Sequence, residues 1–234
     1  LKIRERNYLG LVEGLRTITE KSICPTYQLT ESYRLTERAT RYTGLFYEDT
    51  LNSCSETQTV DSFGAFFLCN NGGPTLLKTD MEIGDLRDEA LLNLALSVVG
   101  HIHQQDSKCE IAVLTCMKDT VRALQSVINS RIKSSKILID TVARIQGLTT
   151  DICVYVVPNT HYLRALEPRL FNVATSRARR QTIIIADKEI LGYTRMNVDV
   201  RRYLEKLDQE FSFYLPYNKG KNNLLANNNI NFIE

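Results

Sequence analysis

Three arginines near position 180 form the segment of this sequence with the clearest chemical potential. Arg177, Arg179 and Arg180 follow a helix-like apolar run and precede the strand-forming run 182–186. An arginine at this junction can lie at the carboxyl edge of a parallel sheet, where ligands bind in open α/β folds, and its planar fork suits a phosphate. We interpret Arg179 and Arg180 as charges that favour the negative end of the helix.

Metal and disulfide chemistry have weaker signals. The six cysteines include no C-x-x-C pair, which fits free thiols in a reducing compartment and predicts a cytoplasmic location. His101 and His103 lie two residues apart at the end of a helical pattern, so they point to different faces and disfavour a shared metal with Cys109. We therefore expect no metal site.

Composition indicates an ordinary folded chain. With 234 residues, 43% of them hydrophobic and 24% charged, it is not a collagen, a coiled coil or a mainly disordered protein. A net charge of +2 neither requires nor excludes nucleic acid, which a local basic patch would have to bind. No apolar run approaches the roughly 18 residues of a membrane span, so no membrane partner is expected. Because the first residue is Leu1, we interpret the chain as a fragment or a processed form.

Helices and strands that could position the arginines alternate along the chain. Apolar spacing predicts helices near 9–18, 36–51, 86–101, 120–132, 169–179 and 198–207 and strands near 27–30, 111–115, 136–140, 152–157 and 182–186. Two runs, 63–68 and 75–77, flank N-N-G-G and predict a small hairpin. This alternation indicates an α/β fold with a mainly parallel sheet and helices on both faces. We expect one domain over 1–215 and an Asn-rich tail over 216–234.

Residues 169–179 read R-L-F-N-V-A-T-S-R-A-R and resemble motif VI of superfamily 1 helicases, usually R-x-L-N-V-A-x-T-R-A-R/K. The resemblance implies that Arg177 is catalytic, because it falls on the arginine finger that meets the ATP γ-phosphate. Such a finger stabilises the charge that develops on the transferred phosphoryl group. Thr175 and Ser176 depart from the usual Leu-Thr, although Ser176 keeps a hydroxyl.

Residues 140–147 read D-T-V-A-R-I-Q-G and resemble motif V in the branch that includes the nonsense-mediated-decay helicases. The resemblance implies that Thr141 contacts the nucleic-acid backbone and that Gln146 and Gly147 bind the nucleotide. A glycine there permits close backbone approach. The family usually has a ribose-binding acid two residues after this glycine, where the present chain has Thr149.

Residues 29–34 read L-T-E-S-Y-R and resemble motif IV, which implies a second γ-phosphate contact from Arg34. On the helix that follows, Arg38 and Arg41 are interpreted as facing solvent.

Residues 111–115 resemble the strand that ends in T-P-Y in the same family. The resemblance implies that Thr115 binds backbone phosphate, and Lys118 could supply a cation to the same path. Since Thr115 and Thr141 would end adjacent strands, we expect both hydroxyls at the carboxyl edge of the sheet.

Together the matches imply the second RecA-like motor domain of a superfamily 1 helicase over residues 1–215. The sequence contains neither G-x-x-x-x-G-K-[ST] nor a D-E pair after a strand, so both would belong to an upstream first motor domain.

The resemblance implies ATP and Mg²⁺ as cofactors of the intact enzyme, single-stranded nucleic acid as its partner, and no activity of this chain alone. Backbone contacts leave DNA and RNA open, with DNA the preferred expectation. A divergent nucleic-acid-binding module without motor activity is the alternative.

Overall fold

The computed structural model describes residues 30–56, 67–81, 88–145 and 147–217. The chain divides after Thr30 into two units, and every described residue except Thr30 belongs to the second. The predicted helix near 9–18, most of the predicted strand near 27–30 and tail residues 218–234 lie outside the described ranges. So does Gln146, one of the predicted nucleotide-binding residues.

Two separate sheets are present. Strands β1 (Glu31–Ser32) and β2 (Asn52–Ser53) pair in parallel as a small sheet of their own. The central sheet has six strands in the order β5-β4-β6-β7-β3-β8, and each neighbouring pair is parallel. Its strands are β3 (Gly73–Thr79), β4 (Ile111–Thr115), β5 (Ile137–Thr141), β6 (Thr150–Val156), β7 (Ala178–Asp187) and β8 (Ser212–Tyr214).

Helices cover both faces of the central sheet. They are α1 (Glu37–Thr43), α2 (Glu89–Gln105), α3 (Lys118–Arg131), α4 (Tyr162–Ala165), α5 (Pro168–Thr175) and α6 (Val198–Glu210). Along β4, Ile111 and Val113 pack with α2 and α3, whereas Ala112 and Leu114 pack with α5 and α6. This alternation follows from the two-residue period of a strand. The predicted α/β fold with helices on both faces is confirmed.

Caps explain where several helices begin. The Asp88 carboxylate accepts a hydrogen bond from the Leu91 N–H at the start of α2. At α5, Glu167 accepts from the Leu170 N–H, and Pro168 occupies the first helical position, where a missing N–H costs nothing. Within the described ranges, no helix is both long enough and apolar enough to cross a membrane.

The predicted small hairpin is wrong over the described residues. Strand β3 pairs in parallel with β7 on one side and with β8 on the other, while residues 67–72 form no strand. Gly72 and Gly73 do have the positive φ values, +70° and +82°, that motivated the hairpin. The glycines allow the chain to turn sharply into β3 close to β7. A Cβ on Gly72 would lie only 2.6 Å from the Arg180 carbonyl oxygen.

Candidate nucleotide and nucleic-acid sites

Arg177 connects α5 to β7 and lies at the amino edge of the central sheet. Strand β7 begins at Ala178, four residues before the predicted start at Thr182. The expectation that Arg177 lies at the carboxyl edge is wrong, because a helix that precedes a parallel strand leads the chain to the amino end of that strand. The Arg177 Nε donates to the Val173 carbonyl at 2.8 Å, and Nη2 donates to Ser176 Oγ at 3.3 Å. These two bonds leave other guanidinium N–H groups for a ligand.

Arg34 lies close to Arg177, so the structure brings together two of the predicted nucleotide-binding residues. Burial, and then the charge of Arg177, lower the pKa of Arg34; burial also lowers the pKa of Arg177. The Nε of Arg34 is buried and has no hydrogen-bond partner in the described ranges. Among the described residues, neither guanidinium forms an ion pair with a carboxylate. Two half-buried cations without a counter-ion are an arrangement that an anion stabilises.

Tyr47 and Asn172 extend this arrangement, and neither was predicted as a site residue. Asn172 Nδ2 donates to Tyr47 Oη at 3.0 Å, and Asn172 Oδ1 is buried without a partner in the part of the chain that the structure describes. Tyr47 also lies near both arginines. The position of Asn172 inside the segment 169–179 was an available signal for it. We call Arg34, Tyr47, Asn172 and Arg177 the arginine cluster.

The local chain path explains why Tyr47 had no sequence signal. The predicted helix over 36–51 ends after seven residues of α1 and one 3₁₀ turn, Gly44–Phe46. Glu48 and Asp49 then adopt left-handed φ values of 53° and 57°. A glutamate rarely adopts that conformation. At these two residues the chain changes direction, and Tyr47 accepts a hydrogen bond from Asn172, which lies 125 positions further along the chain.

Gly147 also lies at the amino edge, just before β6. Its φ is +96°, and a Cβ built on it would meet no atom within 4 Å, so the glycine is required by backbone conformation and has open space beside it. The Thr150 N–H donates to the Arg177 carbonyl at 3.2 Å, which joins this loop to the Arg177 segment. Thr149 lines a neighbouring cleft of about 260 Å³ together with Glu110 and Lys136.

Thr115 and Thr141 lie at the opposite, carboxyl edge. They are register partners at the ends of β4 and β5, so their side chains share the face that α3 covers. This is the adjacency that the sequence predicts. Thr115 is fully buried, and its hydroxyl has no hydrogen-bond partner within the described ranges, whereas Thr141 is 7% exposed.

A basic groove of about 230 Å³ opens beside Thr141 at the start of α3. Lys118, Arg122 and Arg144 line it. Arg122 forms an ion pair with Asp119 at 2.9 Å, and Arg144 lies 3.5 Å from Asp140. Over the described ranges, Lys118 forms no ion pair, so its charge is the least compensated of the three.

A family comparison covers both edges of the sheet. The model of the family described as AAA domain matches residues 14–189, about three quarters of the chain. The chain belongs to this AAA domain family. The match contains the described arginine cluster, Gly147, and the threonines of the carboxyl edge.

Two solved structures resemble this AAA domain weakly. The C-terminal domain of a possible DNA helicase from Lactobacillus plantarum WCFS1 is 17% identical with a TM-score of 0.42, covering 68% of this chain and 99% of that one. The Hef helicase domain from Pyrococcus furiosus is 15% identical with a TM-score of 0.32, covering 45% and 27%. Among curated proteins, no sequence matches significantly.

The described part of the AAA domain contains no group of three or more His, Cys, Asp or Glu side chains arranged for a metal ion. His101 packs edge-on against the Phe67 ring, with ring centroids 5.8 Å apart. Burial raises the pKa of the Cys109 thiol to about 12, which disfavours the thiolate that a metal requires.

Arg38 of the AAA domain does not face solvent, contrary to the sequence interpretation. It is only 7% exposed, and its Nη1 donates to the carbonyls of Gly72 and Pro74 at 3.0 and 2.6 Å. Its guanidinium lies between the rings of Tyr42 and Phe211 at about 5 Å from each centroid. Arg38 therefore fastens α1 to the start of β3, and Arg41 is the exposed one.

Proposed function

We propose that this AAA domain is the C-terminal, second RecA-like motor half of an ATP-dependent superfamily 1 helicase. The observation that carries the proposal is the pair Arg34 and Arg177, two half-buried guanidiniums without a carboxylate partner among the described residues. Guanidiniums suit phosphate better than any other side chain, because their planar fork offers several donors at once. Motif VI gives the same role to Arg177, and motif IV gives it to Arg34.

Family membership supports the use of ATP and Mg²⁺ generally. The arginine cluster fits the triphosphate: Arg34 Nε is a buried donor without a partner, and Gly147 leaves room for close approach. ATP supplies the phosphoryl group whose transfer to water releases free energy. The Mg²⁺ ligands and the phosphate loop are proposed to come from a first motor domain in the same polypeptide.

Each residue of the cluster has a distinct part in this proposal. Arg177 neutralises charge that develops on the γ-phosphate, with its guanidinium oriented by the bond from Nε to the Val173 carbonyl. Arg34 adds the second positive charge. Tyr47 and Asn172 hold each other through a hydrogen bond and are proposed as positioning residues beside the two arginines. Gln146 and Gly147 complete the nucleotide contacts.

At the opposite edge, Thr115, Lys118 and Thr141 would bind the backbone of a single strand. The groove beside Thr141 supports this assignment, because the positive charge of Lys118 has no ion-pair partner within the described ranges. Phosphates are held by hydroxyls and by Lys or Arg. We propose single-stranded DNA in preference to RNA, and kinship with the branch of the nonsense-mediated-decay helicases. The free cysteines among the described residues support a cytoplasmic location.

Substitution of Arg177 in the full-length protein tests the proposal. Arg177→Ala should lower kcat for ATP by about 10²–10⁴-fold, as the loss of an arginine finger does. Arg179→Ala is the matched control, because Arg179 is two residues away and forms exposed ion pairs with Glu110 and Asp151. The control should hydrolyse ATP at the wild-type rate.

The readout is steady-state ATP turnover with saturating oligonucleotide, together with the thermal midpoint of each variant. Equal turnover by wild type and a well-folded Arg177→Ala variant would overturn the assignment. A parent protein with strand binding but no ATP hydrolysis would favour the divergent binding module.

A further inference from the structure

A cavity of about 530 Å³ opens at the carboxyl edge between β7 and β3. These neighbouring strands send their next helices to opposite faces: β3 leads to α2 on one face, and β7 leads to α6 on the other. Such a reversal leaves a crevice beyond the carboxyl ends of the strands, where ligands bind in open α/β sheets. The volume is within the range of small-ligand sites.

The cavity wall combines apolar surface with hydroxyls that have no partner. Met81 and the ring of Tyr162 supply apolar surface. Among the described residues, Thr160 Oγ1 and Tyr162 Oη are buried and have no hydrogen-bond partner. Buried polar atoms are rarely left unpaired in proteins, so two of them at one cavity point to a ligand. Burial, and then Asp187 and Glu189, raise the pKa of Tyr162, which keeps its hydroxyl protonated as a donor.

Charge at the cavity excludes a phosphate. Three carboxylates line it, from Asp80, Asp187 and Glu189, against the single ammonium of Lys188. That ammonium is already paired with Asp80 at 2.8 Å. Asp187 is occupied by the backbone N–H groups of Met81 and Glu189, at 3.0 and 2.8 Å. Among the described residues, the groups left without a partner are the Glu189 carboxylate and the two hydroxyls, beside apolar surface. A nucleobase matches them, because its edge carries hydrogen-bond donors and acceptors and its faces are apolar.

We propose that this cavity, the base pocket, receives one unstacked base of the single strand. The inference rests on the proposed function, since it requires a strand on the carboxyl edge. Thr115 and Thr141 lie at this same edge, and the two strand spacings from β4 to β7 amount to about 10 Å. A strand whose phosphates are held near Lys118 would thus pass the base pocket.

Two fluorescein-labelled 12-mers test the base pocket with the full-length protein. One is oligodeoxyadenylate, and the other carries abasic tetrahydrofuran residues throughout. The intact strand should bind about 5–100-fold more tightly, the range expected for contacts with one base. Tyr162→Phe and Thr160→Val should each reduce this ratio about 2–10-fold, the loss expected for one hydrogen bond. Affinity for the abasic strand should stay unchanged.

Tyr193→Phe is the matched control, because Tyr193 packs against Tyr162 with ring centroids 5.3 Å apart but does not line the cavity among its described residues. The Tyr193→Phe variant should bind the intact strand and the abasic strand as the wild type does. Thr160→Trp fills the cavity and should abolish the preference for bases; Tyr162→Phe, which changes one atom, remains informative if the larger variant does not fold.

The outcomes separate this inference from the proposed function. Equal binding of intact and abasic strands would overturn the base pocket and leave the backbone track standing. A base preference that survives both Tyr162→Phe and Thr160→Val would place the base elsewhere and also overturn it. Failure to bind either strand would overturn the proposed function and this inference with it.

Discussion

The two edges of the central sheet differ in how their positively charged side chains are grouped and paired with carboxylates. At the amino edge, Arg34 and Arg177 bring two cations together without a carboxylate among the described residues. At the carboxyl edge, Arg122 and Arg144 are each near an aspartate, and Lys118 alone has no ion pair in the described part. One edge concentrates positive charge, while the other offers hydroxyls and a single ammonium.

This difference indicates ligands of different charge density. Concentrated guanidiniums with buried donors are suited to a compact polyanion, the end of a nucleoside triphosphate. Hydroxyls and one lysine are suited to phosphates that are spread along a chain and are bound weakly one at a time. If the comparison is right, variants at the amino edge change turnover, whereas variants at the carboxyl edge change strand affinity and its salt dependence.

The largest expected effect is a complete loss of ATP turnover in the isolated chain. Residues 1–234 alone should hydrolyse no ATP above background, with or without oligonucleotide, because the phosphate loop and Mg²⁺ ligands that position the γ-phosphate are absent from this sequence. Phosphate release measured at micromolar protein checks this. Turnover that co-purifies with the chain and disappears in Arg177→Ala would contradict the half-motor proposal.

Local patterns predicted the class of the fold and several of its strands, although β8 had no predicted counterpart. The strand at 111–115 is predicted at its observed bounds, since an apolar run buried on both faces has few alternatives. Strand β7 was predicted to begin four residues too late, because Arg179 and Arg180 obscure its start. The wrong edge for Arg177 has a different cause, because a residue between a helix and the parallel strand that follows it lies at the amino end of that strand wherever the strand begins.

Contacts between distant segments could not be predicted. Tyr47 reaches Asn172 across 125 positions, and the base pocket collects residues that follow three different strands. Neither arrangement has a spacing in the sequence, because it depends on which strands become neighbours. The motif resemblance supplied Arg34 and Arg177 as a pair, and periodicity alone would have supplied neither.

Thr115→Val tests whether a buried hydroxyl is retained for function. The hydroxyl has no hydrogen-bond partner, and its weak interaction with the Cys116 thiol lowers that thiol's pKa against the larger effect of burial. Valine has nearly the same shape, so the variant should be more stable by about 1 kcal/mol. Urea unfolding measures this stability.

The same Thr115→Val variant should bind a single strand about 1 kcal/mol more weakly if its hydroxyl meets a phosphate. Fluorescence anisotropy with a labelled oligonucleotide measures that affinity. Higher stability with unchanged affinity would restrict backbone binding to Thr141.

Thr141→Ala should weaken single-strand binding by about 1 kcal/mol, the typical net contribution of one hydrogen bond. Thr141→Ser keeps the hydroxyl and should bind as the wild type does. Neither variant removes a cation, so the dependence of log Kd on log salt should stay the same. Turnover at saturating strand should also stay unchanged; a loss of kcat in Thr141→Ala would break the separation between the two edges.

Lys118→Ala should produce the smallest effect, a decrease of about one unit in the salt slope of strand binding, because one phosphate contact is removed. Lys118 is the first residue of α3, where a positive charge opposes the helix dipole. Its removal should therefore leave the fold as stable or slightly more stable, so weaker binding cannot be attributed to unfolding. Arg122→Ala is the matched control, since the exposed Arg122 is paired with Asp119. Equal slopes for wild type and Lys118→Ala would show that Lys118 does not contact the strand, and the carboxyl edge would then bind through hydroxyls alone.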